Sequence, residues 1–556
     1  MNRNRFSRRT ILRGAGATGA MASLAALSMS CGDDDDAGSS TTSAESTSTR
    51  PAVPAGVTAT SGDSFKVAAK QELVVRQYDE PTGFDPAVLF RIETENVAYN
   101  LYSGLTAFDP KSGAPIPDLA KSWEVSADGK SYKFNLVDNA FFHQDFGKMT
   151  SADVKYSYER ILDPATKSTY AIEFSNIKSI EAPDPLTVVI NLKAPDVNFL
   201  YQVGNYHQGQ IVSKAAIEKF GKDYPRNPIG TGPFALKTWT ANQQMVLEGH
   251  GGYYKGKPTL TKLTLNLVKD VTAAETALNN GEVAVAMNMG STTELVDRLS
   301  KAGKFQLIKS EDYANSVIIF NPDHAPLADK RVRQAYAYGY DQKAIFDKLT
   351  PYTTKPGYSI LPSFMPVYTD DLPKYTYQPD KAKALLKEAG FGGGVTIKEI
   401  VSNAAGGPPA QSLLRQAMLA EVGIKLEFDL METAVWLKRR SSGDYNTVGR
   451  LNPAVNPDTL LFGYLHPDQI TPKGINGAKY NNPQVTQLLE SARAEQEETK
   501  RKAMYAQIQK TALEDLPYLP NGTSTVIWAA YPWVRNLVVN KLATVDYFPV
   551  KIEEHA

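Results

Sequence analysis

Hydrophobic and polar residues alternate over short stretches of this chain, as they do in β-strands with one buried face. The clearest stretch follows the turn dipeptide Asp128-Gly129, where Tyr132, Phe134 and Leu136 fall on one side of a strand. A second hairpin is predicted around residues 184–185, before another apolar run. The pattern therefore predicts antiparallel strand pairs in the first half of the chain.

Helical periodicity occurs between the predicted strands. One helix is predicted to start after Thr150, a favoured N-cap residue, and another at Pro379, with Gly390 as its stop signal. A long amphipathic pattern runs over residues 485–513 and predicts one further helix. Strands that alternate with helices indicate an α/β fold.

The segment 227–234 contains two prolines with fixed φ and two glycines that are free to take positive φ, so it predicts a stiff, sharp turn. A glycine-rich turn that binds phosphate leads into a helix N-terminus, whereas here a strand is predicted from Phe234. We therefore interpret this segment as a structural turn.

The first residues have the pattern of an export signal. Paired arginines, Arg8 and Arg9, precede an apolar run of small residues over 15–27, which is too short to span a bilayer. The arginine pair resembles the twin-arginine class of signals, which exports folded proteins. Residues 1–30 are therefore predicted to be removed.

Cys31 is the only cysteine of the 556 residues, so the chain can form neither an internal disulfide nor a multi-cysteine metal site. Its position directly after the apolar run resembles the lipid-modified cysteine of bacterial lipoproteins; the alternative is a free thiol near an ordinary cleavage site. Residues 31–63 are rich in Asp, Ser, Thr, Ala and Gly, a composition that predicts a flexible tether to the membrane.

Charge and motif spacing exclude several function classes. The chain has 60 basic and 60 acidic residues, and residues 1–30 contain five arginines and no acid, so the remainder has a formal charge of −5. A mildly acidic body argues against nucleic-acid binding. The six histidines are scattered, and neither a nucleophile elbow nor a phosphate-binding loop occurs, so we expect no metal, no cofactor and no enzymatic activity.

Ordered blocks of the chain resemble the extracytoplasmic solute-binding family 5, the dipeptide, oligopeptide and nickel group of ABC-importer receptors. The resemblance covers about residues 65–550 and includes Tyr102-Ser-Gly-Leu105, Ala152-Asp-Val154, Ile229-Gly-Thr-Gly-Pro-Phe234, Tyr253-Tyr-Lys-Gly-Lys-Pro258, Asp329-Lys-Arg-Val-Arg-Gln-Ala335 and the stretch from Tyr377 to Phe391. Many blocks in the same order are more specific than any single motif.

The resemblance implies a two-lobed periplasmic-binding-protein type II-like α/β fold. Lobe I would comprise residues 64–315 plus 526–556, with a subdomain inserted at about 108–205. Lobe II would comprise residues 316–525. A chain that crosses twice between lobes forms a hinge, and closure of a hinge around a ligand is a common switching motion.

The resemblance also points to two ligand-binding regions, the loop before the turn at Pro81 and the segment from residue 436 to 458. The candidate ligand-binding residues in these regions are Tyr78, Asp79, Trp436, Arg450, Asn452 and Asp458. In peptide-binding relatives an aspartate of the second region pairs with the amino terminus of the ligand, and this position falls on Pro453 here. Pro453 provides no anion, whereas Asn452 beside it suits hydroxyls or amides.

Other interpretations remain open for these residues. Asp79 is equally suited to capping the following turn, and Trp436 to packing in the core. Arg450 either binds a ligand carboxylate or pairs with Asp444 on the surface. Asp458 is either structural or ligand-facing. Tyr206 and His207 are further candidates for the cleft, although aromatic residues there would also suit packing between lobes.

The predicted function is that of an extracytoplasmic, lipid-anchored, monomeric receptor that captures a small solute and delivers it to an ABC-importer permease. A peptide is the usual ligand of the family, and an oligosaccharide or an opine-like solute is the alternative. A secreted hydrolase and a sensor that presents its ligand to a signalling partner are the competing functions.

Overall fold

A computed structural model describes residues 65–88, 92–403, 406–453 and 455–555. The export signal, Cys31 and the tether lie outside the described residues. The strands are β1 (Glu72–Gln77), β2 (Thr106–Phe108), β3 (Pro115–Pro117), β4 (Ala120–Val125), β5 (Ser131–Leu136), β6 (Ile177–Asp184), β7 (Thr187–Leu192), β8 (Phe234–Thr240), β9 (Gln244–Gly249), β10 (Lys262–Leu267), β11 (Val285–Ala286), β12 (Gln306–Phe320), β13 (Thr354–Lys355), β14 (Val395–Ser402), β15 (Ile424–Met431), β16 (Thr447–Pro453), β17 (Tyr518–Ala530), β18 (Val534–Arg535) and β19 (Lys551–Ile552).

Helices separate many of these strands, as expected for an α/β protein. They are α1 (Ile92–Leu101), α2 (Ser151–Leu162), α3 (Phe199–Gln202), α4 (Lys214–Phe220), α5 (Val271–Asn279), α6 (Thr293–Lys301), α7 (Lys330–Tyr338), α8 (Gln342–Leu349), α9 (Pro379–Glu388), α10 (Ala410–Glu421), α11 (Thr433–Ser442), α12 (Pro457–Leu465), α13 (Pro483–Ala494) and α14 (Glu498–Asp515). Within the described part of the chain, no helix is both long and apolar enough to span a membrane.

Within the described residues, the largest sheet has eleven strands in the order β15-β14-β16-β12-β17-β11-β1-β10-β9-β8, and β13 pairs with β17 beside this path. Parallel and antiparallel pairs are mixed: β1 runs parallel to β10 and β11, whereas β12 runs antiparallel to β16 and β17. The long strands β12 and β17, of 15 and 13 residues, join the two halves of the sheet, and their register shifts between Ser310 and Ala314 and again between Asn315 and Val317.

A separate antiparallel sheet has the order β4-β5-β7-β6. The hairpin predicted at Asp128-Gly129 is confirmed, since β4 and β5 pair across it and Gly129 has a φ of +68°. Tyr132, Phe134 and Leu136 are all buried on one face of β5, so the alternating pattern correctly identified the core side of this sheet.

The predicted helix starts at Thr150 and Pro379 are confirmed. Thr150 caps α2 in a capping box with Asp153, and α9 begins at Pro379. The single helix predicted over 485–513 is wrong, because α13 ends at Ala494 and α14 begins at Glu498.

Residues 228–234 of the turn are buried against the end of α1. The sequence interpretation used glycine's freedom to take positive φ, but neither Gly230 nor Gly232 has positive φ in the structure. A Cβ atom would lie 2.2 Å from the Leu101 carbonyl oxygen at Gly230 and 2.6 Å from the Asn100 carbonyl oxygen at Gly232. Glycine is therefore required here because two backbone segments approach closely.

The hydrophobic core falls into separate clusters. The largest is formed mainly by residues 73–265 together with residues 526–552, and two others are formed by residues 317–519. A small cluster of Phe108, Val455 and Leu542 contains side chains from both parts of the chain. The first and last described segments also meet, since the Ala68 amide donates to the Ile552 carbonyl at 2.9 Å and the Glu554 amide donates to the Lys66 carbonyl at 2.8 Å.

Candidate functional site

A cavity of about 260 Å³ lies where residues 108–208 face residues 450–475. Its wall is formed by Phe108, Tyr170, Glu173, Tyr201, Gln202, Tyr206, His207, Gln208, Arg450, Leu451, Asn452, Pro453, Val455, Asn456, Thr459, Leu460 and Ile475. Aromatic and aliphatic side chains surround a few polar groups, which is the usual composition of a small-molecule site. We call this space the cleft cavity.

Arg450 provides the positive charge of the cleft cavity. It lies on β16, half-buried, with its guanidinium 5.5 Å from the ring of Tyr464. Among the described residues no carboxylate pairs with Arg450, because Asp444 pairs with Arg439 instead, at 2.8 Å. A guanidinium without an ion pair is suited to a ligand carboxylate, and the sequence alternative in which Arg450 pairs with Asp444 is wrong.

Asn452 lies two residues further along β16 and is buried. Its side chain accepts a short hydrogen bond from the Tyr464 hydroxyl, and its amide nitrogen donates to the Asn315 carbonyl at 3.5 Å. Pro453 follows in the wall of the cavity. As far as the structure describes this wall, it therefore contains the Arg450 guanidinium, the amides of Asn452 and Asn456 and a proline, and no carboxylate.

The facing wall contains two glutamines whose amide nitrogens already donate to carboxylates. Gln202 donates to Asp196 at 3.2 Å, and Gln208 donates to Glu173 at 2.6 Å. Burial raises the pKa of Glu173 to about 7, and the Gln208 hydrogen bond opposes this shift. Charge on this wall therefore changes close to neutral pH.

His207 is enclosed by aromatic rings in the same wall. Its ring centre lies 3.6 Å from that of Tyr206 and 5.1 Å from that of Tyr170. Burial holds the pKa of His207 well below its usual range and raises the pKa of Glu95, whose carboxylate lies 3.5 Å from Nε2 of His207, to about 8. Both groups are therefore mainly uncharged at neutral pH.

Asp458 lies next to the cleft cavity, where it forms a bidentate ion pair with Arg493. The two side chains line a second cavity of about 140 Å³ together with Asp196. The two cavities share Glu173, Gln202, Thr459 and Ile475, so they are contiguous. Asp458 holds Arg493 in place at this boundary.

Three predicted ligand residues do not line the cleft cavity. Tyr78 packs against the largest hydrophobic cluster, and Asp79 forms an ion pair with Lys269 at 3.2 Å. Trp436 packs against a cluster of the second half, donates to the Ile400 carbonyl at 3.3 Å and stacks on Arg440. The contacts of Trp436 match the packing alternative drawn from the sequence.

Sequence reasoning missed most of the wall opposite Arg450. Tyr206 and His207 were candidates and do line the cavity, but Glu173, Gln202 and Gln208 were not identified. Gln202 and Gln208 belong to the same short stretch as Tyr206, which was the available signal. Nothing in the sequence near Glu173 marks it as facing residues 450–460.

No cluster of three or more metal-binding side chains was found among the residues described by the structure.

Comparison with known proteins bears directly on this geometry. The profile for "Bacterial extracellular solute-binding proteins, family 5 Middle" matches residues 114–471, which include the residues of the cleft cavity other than Phe108 and Ile475. The chain belongs to this family. Family 5 proteins are the substrate-binding subunits of ABC importers, and this chain is such a subunit.

Relatives of this family 5 chain differ in what their names say they bind. The Di/tripeptide-binding protein 2 of Pseudomonas aeruginosa is 28% identical over 512 residues, which cover 87% of this chain and 96% of the relative. The structure of AgaA in complex with agropinic acid, from A. tumefaciens R10, is 28% identical with a TM-score of 0.74, covering 87% of this chain and 99% of that chain.

A third structure is the ABC transporter-associated periplasmic binding protein DppA from Helicobacter pylori, in complex with the peptide STSA. It is 25% identical with a TM-score of 0.76, covering 87% of this chain and 98% of that chain. These relatives match nearly the whole described body and support its type II periplasmic-binding-protein fold.

Proposed function

We propose that this family 5 protein captures a small, polar solute that carries a carboxylate and binds it in the cleft cavity. The observation that carries the proposal is Arg450, a half-buried guanidinium in the cavity wall that has no ion pair within the described residues. An unpaired cation in a partly enclosed site is stabilised by a ligand anion, and arginine binds carboxylates in a bidentate geometry.

The two walls of the cavity belong to the two lobes in this proposal. Lobe I comprises residues 64–315 and 526–556, with the subdomain at about 108–205, and lobe II comprises residues 316–525. The separate hydrophobic clusters on either side of the cavity support this division. The solute contacts both walls, so its binding energy favours the closed arrangement, which then docks on the permease.

Two ligand classes remain in competition, a peptide and an opine-like acid. Pro453 stands where peptide-binding relatives have the aspartate that pairs with the ligand's amino terminus, which argues against peptide recognition by the usual contact. Arg450 and Asn452 suit a carboxylate with neighbouring hydroxyl or amide groups, and a relative bound to agropinic acid supports this class. An oligosaccharide would leave Arg450 without a partner.

Isothermal titration calorimetry with three panels tests the proposal: di- to tetrapeptides, opine-type sugar–amino acid conjugates, and neutral oligosaccharides. Mass spectrometry of solutes that co-purify with the protein identifies the natural ligand independently. We expect binding of carboxylate-bearing solutes only. Binding of neutral oligosaccharides alone would contradict the role of Arg450, and chemical turnover of a bound solute would contradict the receptor function.

The protein is further proposed to act outside the cytoplasm, held at the membrane by a lipid on Cys31. Its export would use the twin-arginine signal at Arg8 and Arg9. The position of the lone cysteine after the apolar run supports this proposal.

A further inference from the structure

Four hydrogen-bond acceptors gather where the cleft cavity meets the second cavity. They are the carboxylates of Glu173 and Asp196 and the amide oxygens of Gln202 and Gln208, which we call the acceptor cluster. Glu173 and Gln202 line both cavities, Gln208 lines the first and Asp196 the second. Three of the four residues are more than nine-tenths buried, with exposed fractions of 1% for Asp196, 8% for Gln202 and 5% for Gln208.

The donors of this cluster are already used. The amide nitrogens of Gln202 and Gln208 donate to Asp196 and Glu173, which fixes the orientation of both amides. The Oε1 atoms of the two glutamines therefore point away from these bonds, and both are buried without a hydrogen-bond partner. Buried acceptors without partners are costly, so this wall requires a donor from outside the chain.

The cluster is partly ionised at neutral pH, because burial raises the pKa of Glu173 and of Asp196 to about 7. Arg493 is shared: it interacts electrostatically with Asp196 and is engaged by the bidentate pair with Asp458. Arg450 belongs to the opposite wall, and His207 and Glu95 are mainly uncharged at neutral pH. Within the described residues, Glu173 forms no ion pair, and the two carboxylates Asp196 and Asp458 face one arginine.

We propose that the acceptor cluster binds a cationic nitrogen of the solute, either an ammonium or a guanidinium group. Such groups carry only donors, several per nitrogen centre, and match a wall that offers only acceptors. The solute is then held as a zwitterion, with its carboxylate at Arg450 and its cation at Glu173 and Asp196. The anion that Pro453 cannot provide is supplied by the subdomain instead of lobe II. This inference rests on the proposed function.

The experiment compares trialanine with N-acetyltrialanine, which differ only in the cationic nitrogen, by calorimetry at pH 7.5. Agmatine serves as a second cationic probe. The variants are Glu173→Gln and Asp196→Asn, and the control is Glu124→Gln, an exposed acid on β4 of the same subdomain. Thermal melting of each variant verifies that it is folded.

We expect trialanine to bind the unmodified protein at least tenfold more tightly than N-acetyltrialanine. Glu173→Gln and Asp196→Asn should each reduce this ratio several-fold, whereas Glu124→Gln should leave it unchanged. Equal binding of the two peptides, an unchanged ratio in both folded variants, or no binding of trialanine and agmatine would each overturn the inference. Binding of acidic solutes without a cation as tightly as trialanine would overturn it while leaving the proposed function intact.

Discussion

Arg450 differs from the nearby Arg439 in its ion pairing, and this difference separates a ligand-binding role from a structural one. Arg450 and Arg439 lie on neighbouring elements of the second half, but Arg439 is held between Asp429 and Asp444 at 2.6 and 2.8 Å. Arg450 has no such pair among the described residues. The same residue type is therefore structural at one position and available to a ligand at the other.

Arg450→Gln is expected to weaken binding of an acidic solute about tenfold to a hundredfold. A hydrogen bond to a charged group contributes about 1.5–3 kcal/mol, and about 1.4 kcal/mol corresponds to a factor of ten. Calorimetry with the same solute measures the change, and Arg439→Gln is the matched control. Equal losses in the two variants would argue that Arg450 acts through the fold and not through the ligand.

The pKa of Glu173 predicts how binding depends on pH. Burial raises the pKa of Glu173 to about 7 and that of Asp196 to about 7, so both are partly protonated at neutral pH. A bound cation favours their ionised forms, and binding should tighten from pH 6 to pH 8 and release protons. Burial lowers the pKa of the Arg493 guanidinium, but the nearby Asp458 and Asp196 raise it further, so Arg493 stays charged over this range, and burial keeps His207 neutral.

Calorimetry in buffers of different ionisation enthalpy counts these protons. A solute with a cationic nitrogen should release up to about one proton at pH 7, and its N-acetylated form should release none. Proton uptake on binding, or the same release in Glu173→Gln, would contradict the assignment.

At this scale, sequence reasoning identified Arg450 and Asn452 because they lie in a segment that the family uses for ligands. Sequence reasoning did not identify Glu173 and Gln202. Their role depends on which residues face residues 450–475 across the cleft cavity, and this arrangement joins residues more than 200 positions apart in the chain.

Among the secondary-structure elements, β14 and α10 are joined by a buried ion pair. Arg415 donates to Glu399 at 2.7 Å, and the two side chains are 4% and 6% exposed. Arg415→Met should lower the free energy of unfolding by about 3–5 kcal/mol, because it leaves a buried carboxylate without its partner. Urea denaturation measures this loss.

The exposed pair of Lys425 and Glu427 on β15 is the comparison for that variant, since the lysine is 72% exposed. Lys425→Met should change stability by less than about 1 kcal/mol. A similar small effect for Arg415→Met would contradict a strong structural role for the buried pair.

Element boundaries were predicted well where local chemistry decides them, as at Thr150 and at Asp128-Gly129. The break between α13 and α14 was missed, since residues 495–498 are all good helix formers. One contact from a distant part of the chain and one local contact accompany the break. The Val197 amide donates to the Arg493 carbonyl at 3.0 Å, and the Arg501 guanidinium donates to the carbonyls of Glu495 and Gln496.

For the whole molecule, location and binding are expected to be separable. Cys31→Ala should move the protein from the membrane fraction to the soluble extracytoplasmic fraction without changing its affinity for the solute, because Cys31 is not among the residues that line the cleft cavity. Fractionation with immunoblotting, followed by calorimetry, measures both. Retention of the variant in the membrane fraction would contradict lipid attachment at Cys31.

The overall fold followed from the resemblance and not from composition or periodicity alone. Strands β12 and β17 pair residues about 200 positions apart, such as Gln306 with Ala530, and no local pattern encodes such a partner. The order of the family blocks supplied that long-range information.

The hydrogen bond between the Glu554 amide and the Lys66 carbonyl makes the protein suitable for circular permutation. Because backbone hydrogen bonds already hold these segments together, a short glycine-rich linker can join them, and new chain ends can be opened in the exposed turn at residues 241–243 between β8 and β9. Such a circular permutant should fold and bind the same solute, as circular dichroism and calorimetry would determine. A reporter domain fused at the new ends would then lie beside the turn between β8 and β9 and not at the segment where Lys66 meets Glu554.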